Sequence, residues 1–125
     1  MVYKRIVKPI IFPVTLDEAK LHARVDHSEE DALIQGMLES ASEHCERIQR
    51  KAYGKQTWQA AFAYFLMFPE VILRKAPFHS LNKFYYLDSN SQEVLFVEGT
   101  DFIVDDTGLF ARIILLDGFS FPTNQ

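Results

Sequence analysis

The chain has 125 residues, 48% of them hydrophobic and 24% charged, with a formal net charge of -4. That length allows one modest core, and the composition excludes a disordered chain. The acidic balance argues against a protein that wraps nucleic acid, which needs many clustered Lys and Arg, and the single cysteine, Cys45, excludes an internal disulfide.

Residues 1–14, MVYKRIVKPIIFPV, read as extended, since Pro9 and Pro13 each bias the residue before them toward an open conformation. Lys8, Pro9 and Pro13 break the apolar run, leaving it too short for a signal-peptide core or a membrane span. Thr15 then fits a helix N-cap, with Glu18 three residues on completing a capping box. A short helix to about Val25 is predicted, burying Leu16, Ala19 and Ala23. A tight bend at Asp26-His27 follows, and Ser28 offers a second N-cap with Glu29, Glu30 and Asp31 in the first turn.

From Ser28 the pattern is strongly helical. Ile34, Leu38, Ala41, Cys45, Ile48 and Ala52 recur at alternating spacings of four and three, which predicts one apolar stripe, widened by Leu33, Met37 and His44. Arg47, Arg50 and Lys51 crowd the far end, and Gly54 suits the position just past a C-cap. A helix over 28–53 should be roughly 35–40 Å long, at about 1.5 Å per residue.

After Gly54 the period changes. QTWQAAFAYFLMF and VILRKAP read as strands, and LNKFYYLDSNSQEVLFVEG reads as a hairpin around Asp88-Ser89-Asn90-Ser91. DFIVDDTG is a strand running into the turn Asp105-Asp106-Thr107-Gly108, ARIILLD is another strand, and GFSFPTNQ is a loose end. No internal repeat or low-complexity linker interrupts this order. The expectation is α+β: a short N-terminal helix and a long amphipathic helix packed on a small antiparallel β-sheet. It would be one domain over 1–125, mainly helical in 1–54 and mainly β in 55–125.

Chemistry is sparse. His22 and His27 straddle the helix break, far in sequence from the only thiol, so no tetrahedral metal set is expected. Cys45 and His44 are sequence neighbours and point to different sides of a helix, so Cys45 reads as a small buried hydrophobe rather than a nucleophile. Asp101, Asp105 and Asp106 near Gly108 lack the spacing of a calcium loop and read as turn residues. There is no glycine-rich phosphate loop and no nucleophile elbow. No catalytic residue, metal or cofactor is assigned.

The order PVTLDEAKLHARVD, then SEEDALIQGMLESASEHCERIQRKAYGKQTW, resembles the head–tail connector (adaptor, or head-completion) proteins of tailed bacteriophages and prophages. The likeness rests on Pro13, Thr15, Leu16, Asp17, Glu18, Ala19, Lys20, Arg24, Val25 and Asp26. A second set follows: Glu30, Asp31, Leu33, Ile34, Ala41, Glu46, Gly54, Thr57 and Trp58. The later LRKAPFHSLNKFYYLDSNSQEVLFVEGTDFIVD is similar to the family's β region. The likeness spans roughly 13–122.

The resemblance implies a non-enzymatic structural protein of the virion's head–tail junction, assembled in the bacterial host cytoplasm. It implies a ring of about a dozen copies under the portal protein. The ring would extend the DNA channel and dock a tail-side stopper or tail-completion protein, with double-stranded DNA only as passing cargo and no membrane partner. An acidic surface would let DNA slide without sticking. The expected interface comprises helix-edge residues Glu39, Glu43, Arg47 and Arg50, and turn residues Asp88, Asn90, Asp105 and Asp106. Two other readings compete with it. One is a ligand-binding or protein-interaction module with a pocket lined by Phe62, Phe65 and Phe84. The other is a small enzyme using Cys45 or a His–carboxylate pair.

Overall fold

A computed structural model describes residues 1–63 and 69–117 of the chain. The α+β class is borne out, with one short and one longer helix accompanied by antiparallel strands. The β part differs from expectation in being three small sheets among the described residues rather than one. Contacts gather the chain into two units: Tyr3–Ala60, and Met1–Val2 with Ala61–Gln125. Residues 64–68 of the predicted first strand after Gly54, Phe65 included, and the predicted loose end at 118–125 lie outside the described residues.

The first unit holds all but the terminal residues Val2 and Ala61 of the paired strands β1 (Val2–Val7) and β2 (Thr57–Ala61), and the helices α1 (Leu16–Ala23) and α2 (Asp31–Gln49) packed on each other. The Thr15 capping box forms as read. Thr15 Oγ1 accepts from the Glu18 N–H at 3.2 Å, and Glu18 Oε2 accepts from the Thr15 N–H at 2.8 Å. The Thr15 N–H, and the Thr15 hydroxyl at 3.0 Å, both donate to the Glu18 carboxylate and hold it below its ordinary range. Helix α1 stops at Ala23 because Arg24 takes the left-handed conformation, φ 57°, and the Val25 N–H returns to the Lys20 carbonyl at 2.9 Å. Leu16 and Ala19 are half-buried, but Ala23, expected inside, is exposed.

Helix α2 begins three residues later than its sequence signal. The Ser28 carbonyl, not its hydroxyl, receives the Asp31 N–H at 3.3 Å, closing a turn, and Glu30 is the N-cap without a side-chain bond. The far end is also shorter than expected. Arg50, not a glycine, adopts the left-handed cap at φ 54°, so α2 spans 19 residues, or about 28 Å at 1.5 Å per residue. Gly54 serves a different purpose from the cap expected of it. A Cβ there would stand 2.6 Å from the Ile11 carbonyl oxygen and 2.7 Å from Pro9 Cβ, so the chain after α2 touches the strand-to-helix connector backbone to backbone.

The second unit is built on β3 (Glu70–Ile72), β4 (Tyr85–Leu87), β5 (Glu93–Leu95), β6 (Phe102–Asp105) and β7 (Arg112–Leu115). Strand β7 lies between β3 and β6, with Val71 opposite Ile113 and Val104 opposite Ile113 on its other side. Strands β4 and β5 form the predicted hairpin in register Tyr85–Leu95, Tyr86–Val94 and Leu87–Glu93. Val71, Phe96, Phe102 and Ile113 make the core of this unit, with Phe62, Phe84 and Tyr86 packed against it. Phe84 stacks tilted on Phe96 at 4.5 Å and edge-on to Phe102 at 5.2 Å, geometries that aromatic quadrupoles favour.

Candidate interaction surface

The apolar periodicity of α2 does not become a single buried stripe. The half-buried positions of the helix are Asp31, Ile34, Gln35, Leu38, Ser42 and Glu46. Ala41, Cys45 and Ile48 of the predicted stripe are exposed. The reason is polar. Four interactions rotate α2 so that acids, not only alkyl groups, face its own unit.

Lys20 of α1 pairs with Asp31 at 2.6 Å. Arg5 of β1 pairs with Glu43 and lies over the Trp58 ring at 5.8 Å, and this guanidinium holds the Glu43 carboxyl below its ordinary range. Glu46 Oε1 accepts from the Tyr53 N–H at 2.8 Å and from Gln56 Nε2 at 2.9 Å. Gln56 Oε1 in turn accepts from the Trp58 indole N–H at 3.1 Å. A polar latch thus joins the back of α2 to β1 and to the residues around β2.

What the latch leaves outside is apolar. Leu33, Met37 and Ile48 are 56%, 60% and 67% exposed. Cys45 is exposed too, which corrects its reading as a buried hydrophobe. Gly36, lacking a side chain, leaves an open hollow beside Ala32, Leu33, Met37 and Ser40. On another flank, Gln35, Glu39 and Glu43 line a shallow recess with Lys8, Pro9, Ile10 and Phe12.

The predicted interface residues fall into two groups. Some are committed within the fold. Glu43 pairs with Arg5, and Arg47 reaches His44 Nδ1 at 3.0 Å. Asp88 Oδ1 accepts from the N–H groups of Asn90 and Gln92 at 2.8 and 2.9 Å, locking the β4–β5 turn. Asp105 Oδ1 accepts from the Thr107 hydroxyl at 2.6 Å and from its N–H at 3.1 Å, and Arg112 pairs with the other oxygen. The Thr107 bonds, helped by Arg112, pull the Asp105 carboxyl down to about 2. Asp101 likewise serves a turn, its Oδ2 accepting from the Val97 N–H at 2.7 Å.

Glu39, Arg50, Asn90 and Asp106 are exposed. The two helix residues lie in the Tyr3–Ala60 unit and the two turn residues in the other.

Sequence reading missed the Lys20–Asp31 pair and the Glu46–Gln56–Trp58 chain. No local spacing signals either one, because the partners meet only after folding. Among the described residues, no group of three His, Cys, Asp or Glu side chains is placed to hold a metal ion. Phe62 and Phe84 of the supposed ligand pocket pack on the core cluster. No described helix is long and apolar enough to cross a membrane.

Titratable groups thus fix turns and latches, beside a helix whose Leu33, Met37 and Ile48 side chains face solvent. Residues 13–65 match the family model described as Phage gp6-like head-tail connector protein. The match covers both helices and β2, and the resemblance seen in PVTLDEAKLHARVD and the segment after it is borne out there. It supports a structural connector role in a phage particle. No curated protein and no solved structure matches the chain.

Proposed function

We propose that the chain is a head–tail connector that assembles as a ring of about a dozen copies under the portal protein, in the closed cyclic symmetry common to such assemblies. The ring extends the DNA channel and presents a docking face to the tail-side stopper or tail-completion protein. The observation that carries this reading is the family match over α1, α2 and β2. The chain is read as one domain over 1–125 that works without catalysis or cofactor, within the virion after assembly in the host cytoplasm.

The contacts are assigned to the exposed edge of α2 at Glu39 and Arg50 and to the turns at Asn90 and Asp106. Glu43, Arg47, Asp88 and Asp105 hold those elements in place beside them. The net acidity of the chain suits a lumen through which DNA passes without adhering.

The test mixes the purified chain with its portal protein and follows ring formation by electron microscopy and head–tail joining by infectivity. Charge reversals at Glu39, Arg50 and Asp106, and Asn90→Lys in the other turn, are expected to reduce joining while the fold persists. Unchanged joining in all four would refute the assigned contacts, and absence of any portal complex would refute the connector reading. A ring whose lumen is lined by Arg47, Arg50 and Lys51 would refute the account of DNA passage.

A further inference from the structure

The open face of α2 is self-complementary. Leu33, Met37, Ala41, His44 and Ile48 are spaced four, four, three and four apart, so they share one side of the helix. That side lies about a third of a turn from the half-buried positions, at roughly 100° per residue. All five residues are exposed.

Charge is distributed along the same helix with opposite signs at its ends. Exposed Glu29 and Glu30 stand at the start, and exposed Arg47, Arg50 and Lys51 at the finish. Two such helices laid side by side in the same direction would set acid beside acid and base beside base. Laid in opposite directions, they set each acidic end against a basic one and align the helix dipoles favourably.

We propose that the free chain pairs with a second copy of itself through an antiparallel, two-fold α2–α2 contact, an interaction that stands apart from the connector reading. The two-fold axis passes between Ser40 and Ala41. Leu33 then faces Ile48 of the second copy and Met37 faces its His44, with the acidic start of each helix beside the basic finish of the other. The smallest side chains sit at the crossing, where two helices must approach most closely. The hollow over Gly36, between Leu33 and Met37, receives the alkyl side chain from the second copy near its end. Because the contact is isologous, it closes at two copies, whereas a head-to-tail contact runs on to a ring.

The test uses the full chain without portal. Light scattering at about 100 µM chain should give twice the 14.5 kDa of one copy. Met37→Glu and Ile48→Glu, both at exposed sites, should each weaken pairing by at least about tenfold with helix content unchanged. Position is read by disulfide trapping. In a Cys45→Ser background, Ser40→Cys should cross-link to itself on mild oxidation, while Lys55→Cys should not. Self-cross-linking at one position reports a two-fold axis, which a head-to-tail ring does not create.

A monomer at that concentration overturns the proposal. So does a dimer that Ser40→Cys fails to trap, or one that survives both glutamate substitutions. If α2 is instead covered only when portal is added, the partner is the portal and the proposal fails. Portal binding by the same variants is scored separately and tests the connector reading by itself.

Discussion

Two glycines in the Tyr3–Ala60 unit should respond to the same substitution with opposite signs. At Gly54 an added methyl group would meet the Ile11 carbonyl oxygen at 2.6 Å and Pro9 Cβ at 2.7 Å, distances at which backbone must move. Forcing extra volume into such a site costs about 1–3 kcal/mol. At Gly36, in the middle of α2, the same methyl group would meet nothing within 4 Å. There Gly54's penalty is absent, and helix propensity alone favours alanine by about 0.8–1.0 kcal/mol.

For a unit of this size each kcal/mol moves the melting midpoint by about 4–8 °C. Gly54→Ala should therefore lower it by at least about 4 °C, and Gly36→Ala should raise it by about 3–8 °C. Trp58 is the only tryptophan and lies in this unit, so its fluorescence reports the transition directly. The measurement belongs at micromolar chain or below, where association does not add to stability. Shifts of the same sign, or a Gly54→Ala protein that melts with the parent, would refute the close-approach argument.

Acid should loosen the β6–β7 hairpin. The Asp105 carboxyl is depressed from 3.8 to about 2, so its stabilising contribution is complete above the unfolded value and is lost as pH falls through about 2. Hydrogen exchange at the Thr107 amide should accelerate across that window, and Asp105→Asn should remove the dependence. Glu46→Ala deletes the acceptor for Tyr53 and Gln56, a loss of about 1–3 kcal/mol at roughly 0.5–1.5 per bond. It should also shift Trp58 emission to the red, since Gln56 anchors the indole, while Glu46→Gln should retain most of both properties.

The fold was legible wherever the signal was local. The Thr15–Glu18 box, the DSNS hairpin and the strands at 70–72, 102–105 and 112–115 all follow from residues within a few positions of one another. Helix ends were less so. Ser28 and Gly54 carry sound cap chemistry, yet α2 is capped by Glu30 and by Arg50, whose N–H returns to the Glu46 carbonyl. The interaction surface was the hardest part to read. Periodicity located an apolar side on α2 but could not say which way it faces. That direction is set by Arg5, Lys20, Gln56 and Trp58, partners distant in sequence. Consequently the periodicity assigns Ala41, Cys45 and Ile48 to a core that they do not enter.

Both helices end on an arginine held at positive φ, a conformation that L-residues other than Asn and Asp seldom adopt. Glycine at either place would ease the backbone but strip positive charge from the carbonyl end of the helix. Lysine would keep the charge and inherit the strain. Reversal of the chain and neutralisation of the dipole therefore reside in one side chain at each end, and drift at these codons cannot relax one demand without surrendering the other.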